Sequence, residues 1–171
     1  MKTVIFIDGE YLHKISLALS LNMEFKAFRQ SIFNYFEGGP VRIYYYACTK
    51  DSANATNNVK PLIDWLSYNG FIVRHKDISE NQFHVEHRAF IGIQMTIDAL
   101  SLSNKDINMV FCIRNPEFKP LLEVLSPQNY LVLLNSEVLR APQIIRQNMD
   151  KIIDLEDLDR EFPFLEERKT V

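Results

Sequence analysis

The chain begins with "MKTVIFIDGEYLH" (1–13), in which a run of apolar residues leads directly into Asp8. Aromatic and β-branched residues dominate positions 3–8, and this composition predicts a buried β-strand. A carboxylate at the end of such a strand has two interpretations. It caps a helix that begins near Glu10 by accepting backbone N–H bonds, or it belongs to a binding or catalytic site. This stretch alone leaves both interpretations open.

The composition predicts one globular domain. Of the 171 residues, 47% are hydrophobic and 24% are charged, and a chain of this length usually forms a single domain. The apolar runs are much shorter than the ~20 residues of a membrane span, and the N-terminus does not read as a signal peptide. Cys48 and Cys112 make no CxxC pair. We therefore expect reduced thiols in a cytoplasmic protein that does not contact membranes.

Charge is distributed unevenly along the chain. The formal net charge is -3, which argues against a general polyanion-binding protein. Acidic residues outnumber basic ones from Asp150 onward, so the rest of the chain is close to neutral. A local basic patch for nucleic acid is compatible with these totals. The charge pattern predicts a domain of residues 1–155 and an acidic C-terminal tail of residues 156–171.

Apolar runs alternate with amphipathic stretches along the chain. The apolar runs predict strands at 3–8, 41–48, 71–76, 107–114, 130–135 and 151–155. The amphipathic stretches predict helices at 10–21, 25–36, 59–68, 88–103, 116–125 and 137–147. Nearly all-apolar strands that alternate with helices form parallel sheets covered on both faces. The expected fold is α/β, a three-layer α/β/α sandwich with a mostly parallel central sheet.

Polar residues follow two of the predicted strands. Asp8 ends the first strand, and Asn115 and Glu117 follow the strand at 107–114. In parallel sheets, ligands bind outside the carboxyl ends of the strands, and carboxylate and amide oxygens suit Mg²⁺ or Mn²⁺. The alternative is a helix start, with Asn115 as the N-cap and Glu117 in the first turn.

Two other stretches have both structural and functional interpretations. In "GIQMTIDAL" (92–100), Gln94 and Asp98 lie four residues apart and share one face of the predicted helix. The run "YYY" (44–46) predicts a strand with alternating buried and exposed rings, and a role in base stacking is the alternative.

The segment 77–88 is polar and has no clear period, so we expect a solvated loop. It contains His84 and His87, but no further Cys or spaced His completes a zinc site. If the segment borders the crevice at the carboxyl ends of the strands, these histidines and Arg88 would instead contact the phosphates of a nucleic acid.

Taken together, these stretches resemble the NYN domain family, the PIN-like branch that includes the LabA-like bacterial proteins. The resemblance covers roughly residues 3–155. "VIFIDGEYLH" is similar to the opening "hDGxN" strand of the family, and "VRIYYYAC" is similar to its second strand. "GIQMTIDAL" resembles the "GVDV…DAL" helix, "MVFCIRNPEFKPLLEVL" the "SGDxDFxPLL" strand and helix, and "KIIDLEDL" the closing "ADxFIDL" segment.

The resemblance implies a PIN-like fold and metal-dependent endoribonuclease activity. In that chemistry, clustered carboxylates hold one or two Mg²⁺ or Mn²⁺ ions, which activate a water for attack on a phosphodiester. Asp8 matches the first acid, Asp98 the later Asp of the helix, and Glu117 the second acid of "SGDxDF". These three are the expected catalytic and metal-binding residues. RNA is the expected partner, with a homodimer or a protein partner as alternatives.

The sequence departs from the family pattern at several site positions. Tyr11 stands in place of Asn, Gln94 in place of the helix acid, Arg114 in place of Gly, and Asn115 in place of the first Asp of "SGDxDF". Each lost charge removes roughly 4 kcal/mol of attraction per unit of cation charge at an effective dielectric of about 20. Arg114 would repel a metal or pair with a carboxylate in its place. Two functions therefore stay open: a metal-dependent ribonuclease, and a catalytically inactive scaffold in a regulatory role.

Overall fold

The computed structural model describes residues 1–39, 41–51, 59–103 and 106–168, without the side chains of Asp51, Glu80 and His84. The strands are β1 (Lys2–Asp8), β2 (Leu21–Met23), β3 (Val41–Asp51), β4 (Ile72–Ser79), β5 (Ile107–Cys112), β6 (Tyr130–Asn135), β7 (Lys151–Asp154) and β8 (Leu165–Glu167). The α-helices are α1 (Gly9–Leu19), α2 (Phe25–Tyr35), α3 (Lys60–Tyr68), α4 (Phe83–Leu102), α5 (Lys119–Leu125), α6 (Gln143–Arg146) and α7 (Leu155–Glu161). Short 3₁₀ turns at Glu80–Gln82 and Pro116–Phe118 precede α4 and α5.

Six of the described strands form one sheet in the order β4-β3-β1-β5-β6-β7, and each neighbouring pair is parallel. At the centre, Ile5 of β1 lies opposite Ile43 of β3 and Val110 of β5. The chain builds outward from β1 to β4 and then returns to add β5 on the other side of β1. This reversal is a topological switch point, where open α/β sheets bind ligands. The carboxyl ends of β1 and β5 therefore border the expected crevice.

Helices cover both faces of this sheet. One core joins the sheet to α1, α2, α3 and α7, with Phe28 and Leu66 fully buried in it. The other core joins the sheet to α4, α5 and α6, and it buries Met95 and Leu122 completely. Successive side chains of β1 alternate between the two cores, as the pleat of a strand requires. The expected three-layer α/β/α sandwich with a mostly parallel central sheet is confirmed.

The three tyrosines of β3 are all buried. Tyr44 is 6% exposed, Tyr45 is 3% exposed and Tyr46 is 0% exposed. The prediction of alternating buried and exposed rings was wrong, because helices cover this strand on both faces. Tyr44 and Tyr46 pack in one core and Tyr45 in the other. Burial also removes these rings as a surface for base stacking.

Two helices differ from the boundaries expected. The solvated loop expected at 77–88 was wrong, because β4 continues to Ser79 and α4 begins at Phe83 instead of 88. At the start of α4, Phe83 stacks on His87 with ring centroids 5.3 Å apart. The helix expected at 137–147 is limited to α6. Pro142 disfavours helical backbone in the residue before it, and the backbone N–H of Ala141 donates instead to Oδ1 of Asn135 at 3.0 Å.

The acidic C-terminal segment packs against the domain. β8 pairs antiparallel with β2, and Phe164 is 2% exposed in the core beside Phe28, with ring centroids 5.2 Å apart. Oδ1 of Asp159 accepts the backbone N–H groups of Phe164 and Leu165, each at 2.7 Å. Residues 156–168, expected to form a tail, are therefore docked through buried aromatic packing.

Both cysteines lie in strands of the six-stranded sheet. Cys48 lies in β3 and Cys112 in β5, and both are free. Burial raises the pKa of the Cys48 thiol to about 12, so the thiol stays protonated at neutral pH and is a poor nucleophile. Among the helices that the structure describes, none has the length and apolar character that a bilayer span requires.

Candidate functional site

A cleft of about 1040 Å³ opens at the carboxyl ends of β1 and β5. It is bordered by α1, the start of α4, the 3₁₀ turn after β5 and the loop between β6 and α6. The residues predicted from the sequence that line it are Asp8, Tyr11, His87, Arg88, Arg114, Asn115 and Glu117. Its position at the topological switch point is where this type of sheet binds ligands.

Asp8 caps α1 from the end of β1. Its Oδ1 accepts the backbone N–H groups of Glu10 at 3.1 Å and Tyr11 at 3.4 Å, so the helix-cap interpretation is correct. Both hydrogen bonds use Oδ1, and the cap itself does not engage Oδ2. Burial raises the pKa of the Asp8 carboxyl, and His87 and the Tyr11 N–H partly oppose this shift. Asp8 therefore both caps the helix and lines the cleft.

Glu10 and His87 form a contact pair beside Asp8. Nε2 of His87 contacts Oε2 of Glu10, although the atoms lack the alignment of a hydrogen bond. On the other side, Nζ of Lys14 lies 3.3 Å from Oε1 of Glu10. The contact with His87, aided by Lys14, lowers the pKa of Glu10 to about 2. Both oxygens of this ionised carboxylate therefore already have basic neighbours.

Asn115 begins the 3₁₀ turn after β5. Its Oδ1 accepts the backbone N–H of Glu117 at 3.0 Å, and its Nδ2 donates to Oε2 of Glu117 at 3.2 Å. Oε1 of Glu117 lies 3.9 Å from Nη1 of Arg88, and both side chains are mostly exposed. The helix-start interpretation is therefore correct for Asn115, and Glu117 is an exposed carboxylate at the surface of the cleft.

Asp98 lies away from the cleft. α4 runs from His87 in the cleft to Leu102 at the amino edge of the sheet, and Asp98 lies about three turns beyond His87. Its Oδ2 accepts the Tyr46 hydroxyl at 2.8 Å, and the guanidinium of Arg74 donates to Oδ2 at 3.1 Å and to Oδ1 at 3.0 Å. The carboxylate of Asp98 is therefore satisfied by residues of the neighbouring strands.

The arrangement does not fit a divalent cation. Among the described residues, no group of three His, Cys, Asp or Glu side chains is placed to hold a metal ion. Asp8 and Glu117 line the cleft, whereas Asp98 and Gln94 are not among its lining residues. Arg114 does line the cleft, and its charge repels a cation. The metal-binding role of the three acids stays a prediction that this geometry does not favour.

Arg140 is a cleft residue that sequence reasoning missed. It lies exposed in the loop between β6 and α6 and lines the cleft. The hydroxyl of Tyr11 donates to the carbonyl oxygen of Leu139 at 2.6 Å, which holds this loop against α1. Burial raises the pKa of the Tyr11 hydroxyl, so it stays a hydrogen-bond donor. Tyr11 thus positions the loop, through a contact that local sequence does not signal.

Comparisons with known proteins agree with this fold. The model of the NYN domain matches residues 2–156. Among solved structures, the chain is similar to the crystal structure of a protein of unknown function, VPA0982, from Vibrio parahaemolyticus RIMD 2210633. The TM-score is 0.68 at 15% sequence identity, over 96% of this chain and 95% of that chain. At this identity the likeness concerns the fold alone. A search of curated proteins returned no match.

Proposed function

Because the chain belongs to the NYN domain family, a PIN-like family of the nuclease type, we propose that it binds RNA in the cleft in a regulatory role, without metal-dependent cleavage. The observation that carries the proposal is a pair of exposed arginines, Arg114 and Arg140, among the residues that line the cleft. Neither has an ion-pair partner among the described residues. Guanidinium groups bind phosphate oxygens through paired N–H donors.

The charge of the cleft supports an anionic ligand. Its lining includes more Lys and Arg than Asp and Glu residues: Lys14, Arg88, Arg114 and Arg140 against Asp8, Glu10 and Glu117. Glu10 is already paired with Lys14, and Glu117 lies near Arg88. Arg114 and Arg140, which have no ion-pair partners within the part of the chain that the structure describes, therefore supply most of the positive charge available to a ligand. An RNA backbone, with one negative charge per nucleotide, complements that charge.

The test is the affinity for a labelled single-stranded RNA, measured by fluorescence anisotropy at several salt concentrations. The double variant Arg114→Ala/Arg140→Ala should bind at least about tenfold more weakly. The slope of log affinity against log salt concentration should also become shallower, by roughly the contribution of two phosphate contacts. Arg160→Ala is the matched control, since Arg160 is an exposed arginine of α7 outside the cleft. Equal affinities for the double variant and the unmodified protein would refute binding in the cleft.

A metal-dependent ribonuclease is the second candidate, and one observation favours it. Asp8 ends β1 at the position of the family's first acid, and its cap uses only Oδ1. Incubation of single-stranded RNA with the protein and millimolar Mg²⁺ or Mn²⁺ separates the two candidates. Cleavage that disappears in Asp8→Asn would establish the ribonuclease. Binding without cleavage under either metal would support the regulatory role.

A further inference from the structure

A second groove, of about 370 Å³, lies between α2 and α3. Its lining includes Val41, the first residue of β3, and Phe71, which immediately precedes β4. Since these strands are parallel, the groove lies at the amino edge of the sheet, opposite the cleft at the carboxyl edge. We call it the aromatic groove, and its distinctive lining residues are Lys26, Arg29, Phe33 and Trp65.

Aromatic rings are unusually accessible in and beside this groove. Phe33 and Trp65 are each 38% exposed, and Tyr68 is 90% exposed. Residues three apart on a helix are surface neighbours, so Tyr68 extends the accessible ring surface from Trp65 along α3. Flat rings that remain partly open to solvent can stack on nucleobases, whatever the base.

Cations lie beside these rings. Lys26 is exposed, and Arg29 is half-buried. Nη1 of Arg29 donates to the backbone oxygen of Asn69 at 2.8 Å, which fixes the guanidinium and leaves its other N–H groups free to donate. Gly70 permits this placement, because a Cβ there would lie 2.2 Å from Nη1 of Arg29. Among the described residues that line the groove, none is an Asp or Glu.

We infer that the aromatic groove is a second binding site for single-stranded RNA. A base stacks on Trp65, and Lys26 and Arg29 contact the adjoining phosphates. Cations next to accessible rings, without lining carboxylates, complement a chain that alternates phosphates and flat bases. An acidic or apolar partner surface would use either the cations or the rings, whereas single-stranded RNA uses both. The inference does not require RNA to bind in the cleft.

Trp65 is the only tryptophan of the chain, so its fluorescence reports this groove directly. Titration with oligoadenylate should quench the emission to a saturable limit, because a stacked base contacts the indole. Tyr68→Ala and Lys26→Gln should each weaken the affinity obtained from quenching by about threefold to tenfold. Both residues are exposed, so these variants should fold normally, and circular dichroism verifies this.

Two controls make the test decisive. Tyr130→Ala removes another exposed tyrosine, at the start of β6 and outside the groove, and it should leave quenching unchanged. Arg114→Ala/Arg140→Ala should also leave it unchanged, because those arginines line the cleft. Absence of quenching at saturating RNA, or its loss in the double arginine variant, would overturn the second site. Quenching that persists in the double arginine variant would support the groove. The cleft would be refuted only if that variant also bound RNA as tightly as the unmodified protein in the anisotropy experiment.

Discussion

Asp8 and Asp98 are two carboxylates that the sequence assigns to one site and the structure places in different surroundings. Both are buried, with exposures of 9% and 7%. Asp8 accepts backbone N–H groups at the start of α1, and burial raises the pKa of its carboxyl. Asp98 accepts the Arg74 guanidinium through both oxygens and the Tyr46 hydroxyl as well.

The difference lies in how each negative charge is balanced. The guanidinium of Arg74 compensates the charge of Asp98 and also lies over the Tyr44 ring, 5.6 Å from its centroid. These contacts join α4 to β3 and β4. Asp8 has no guanidinium partner among the described residues and faces a cleft. The comparison indicates that Asp98 stabilises the sandwich through its guanidinium partner, whereas backbone N–H groups and the nearby His87 offset the charge of Asp8.

The largest effect on stability is expected for Asp98→Ala. The substitution leaves Arg74 and the buried Tyr46 hydroxyl without their acceptor, which should lower the free energy of unfolding by about 2–3 kcal/mol. The Arg74 side chain is 40% exposed, so water compensates part of the loss. Urea denaturation measures the change, and Asp64→Ala, at an exposed position of α3, should stay within about 0.5 kcal/mol of the unmodified protein. A similarly small change for Asp98→Ala would remove the contrast with Asp8.

A smaller effect on stability is expected from Glu10, beside Asp8, at acidic pH. The pKa of Glu10 is about 2 in the folded protein, below its ordinary value of 4.5. Its stabilising contribution is therefore present above pH 4.5 and lost as the pH falls through 2, and we expect it to be about 1 kcal/mol, since the side chain is partly exposed. The raised pKa of Asp8 acts with the opposite sign, favouring the folded state as the pH falls. The free energy of unfolding, measured by urea denaturation between pH 2 and pH 4.5, should depend less on pH in Glu10→Gln than in the unmodified protein. The same dependence in both proteins would contradict the pairing of Glu10 with His87 and Lys14.

The smallest effect is expected for Asp8→Asn. Asn caps helices as well as Asp does, and it has no charge to desolvate, so stability should change by less than about 0.5 kcal/mol. Asp8→Ala removes the cap and should cost about 1 kcal/mol. Urea denaturation of both variants at neutral pH tests this order. If Asp8→Asn proved as destabilising as Asp98→Ala, the Asp8 charge would also be structural.

The strands were the part of the fold that the sequence predicted best. The apolar runs at 3–8 and 130–135 correspond closely to β1 and β6, because a strand buried on both faces requires apolar residues throughout. The start of α4 and the short α6 were missed. Polar residues in the first turn of α4 interrupt the apolar period that predicts a helix. The conformation before α6 depends on a hydrogen bond from the Ala141 N–H to Asn135, which no local period predicts.

For the candidate site, the sequence placed Asp8, Arg114 and Asn115 together, and the structure agrees. That was predictable because the carboxyl ends of parallel strands meet at one edge of the sheet. The positions of Asp98 and Arg140 were not predictable in the same way. A helical spacing shows which residues share a face of α4, but it does not show which strand residues that face meets.

By itself, the sequence determined the alternating α/β pattern, the buried strands and the place of Asp8 at the carboxyl edge, since hydrophobic period and strand polarity are local properties of the chain. Only the tertiary structure decided which charges are paired. The contact from Arg74 to Asp98 spans 24 residues, and the one from Tyr11 to the loop carrying Arg140 spans 128. Partners so far apart in the chain are selected by packing of the whole domain. As a result, Asp98, which the sequence assigned to the site, pairs with Arg74. Arg140, which the sequence did not predict, lines the cleft.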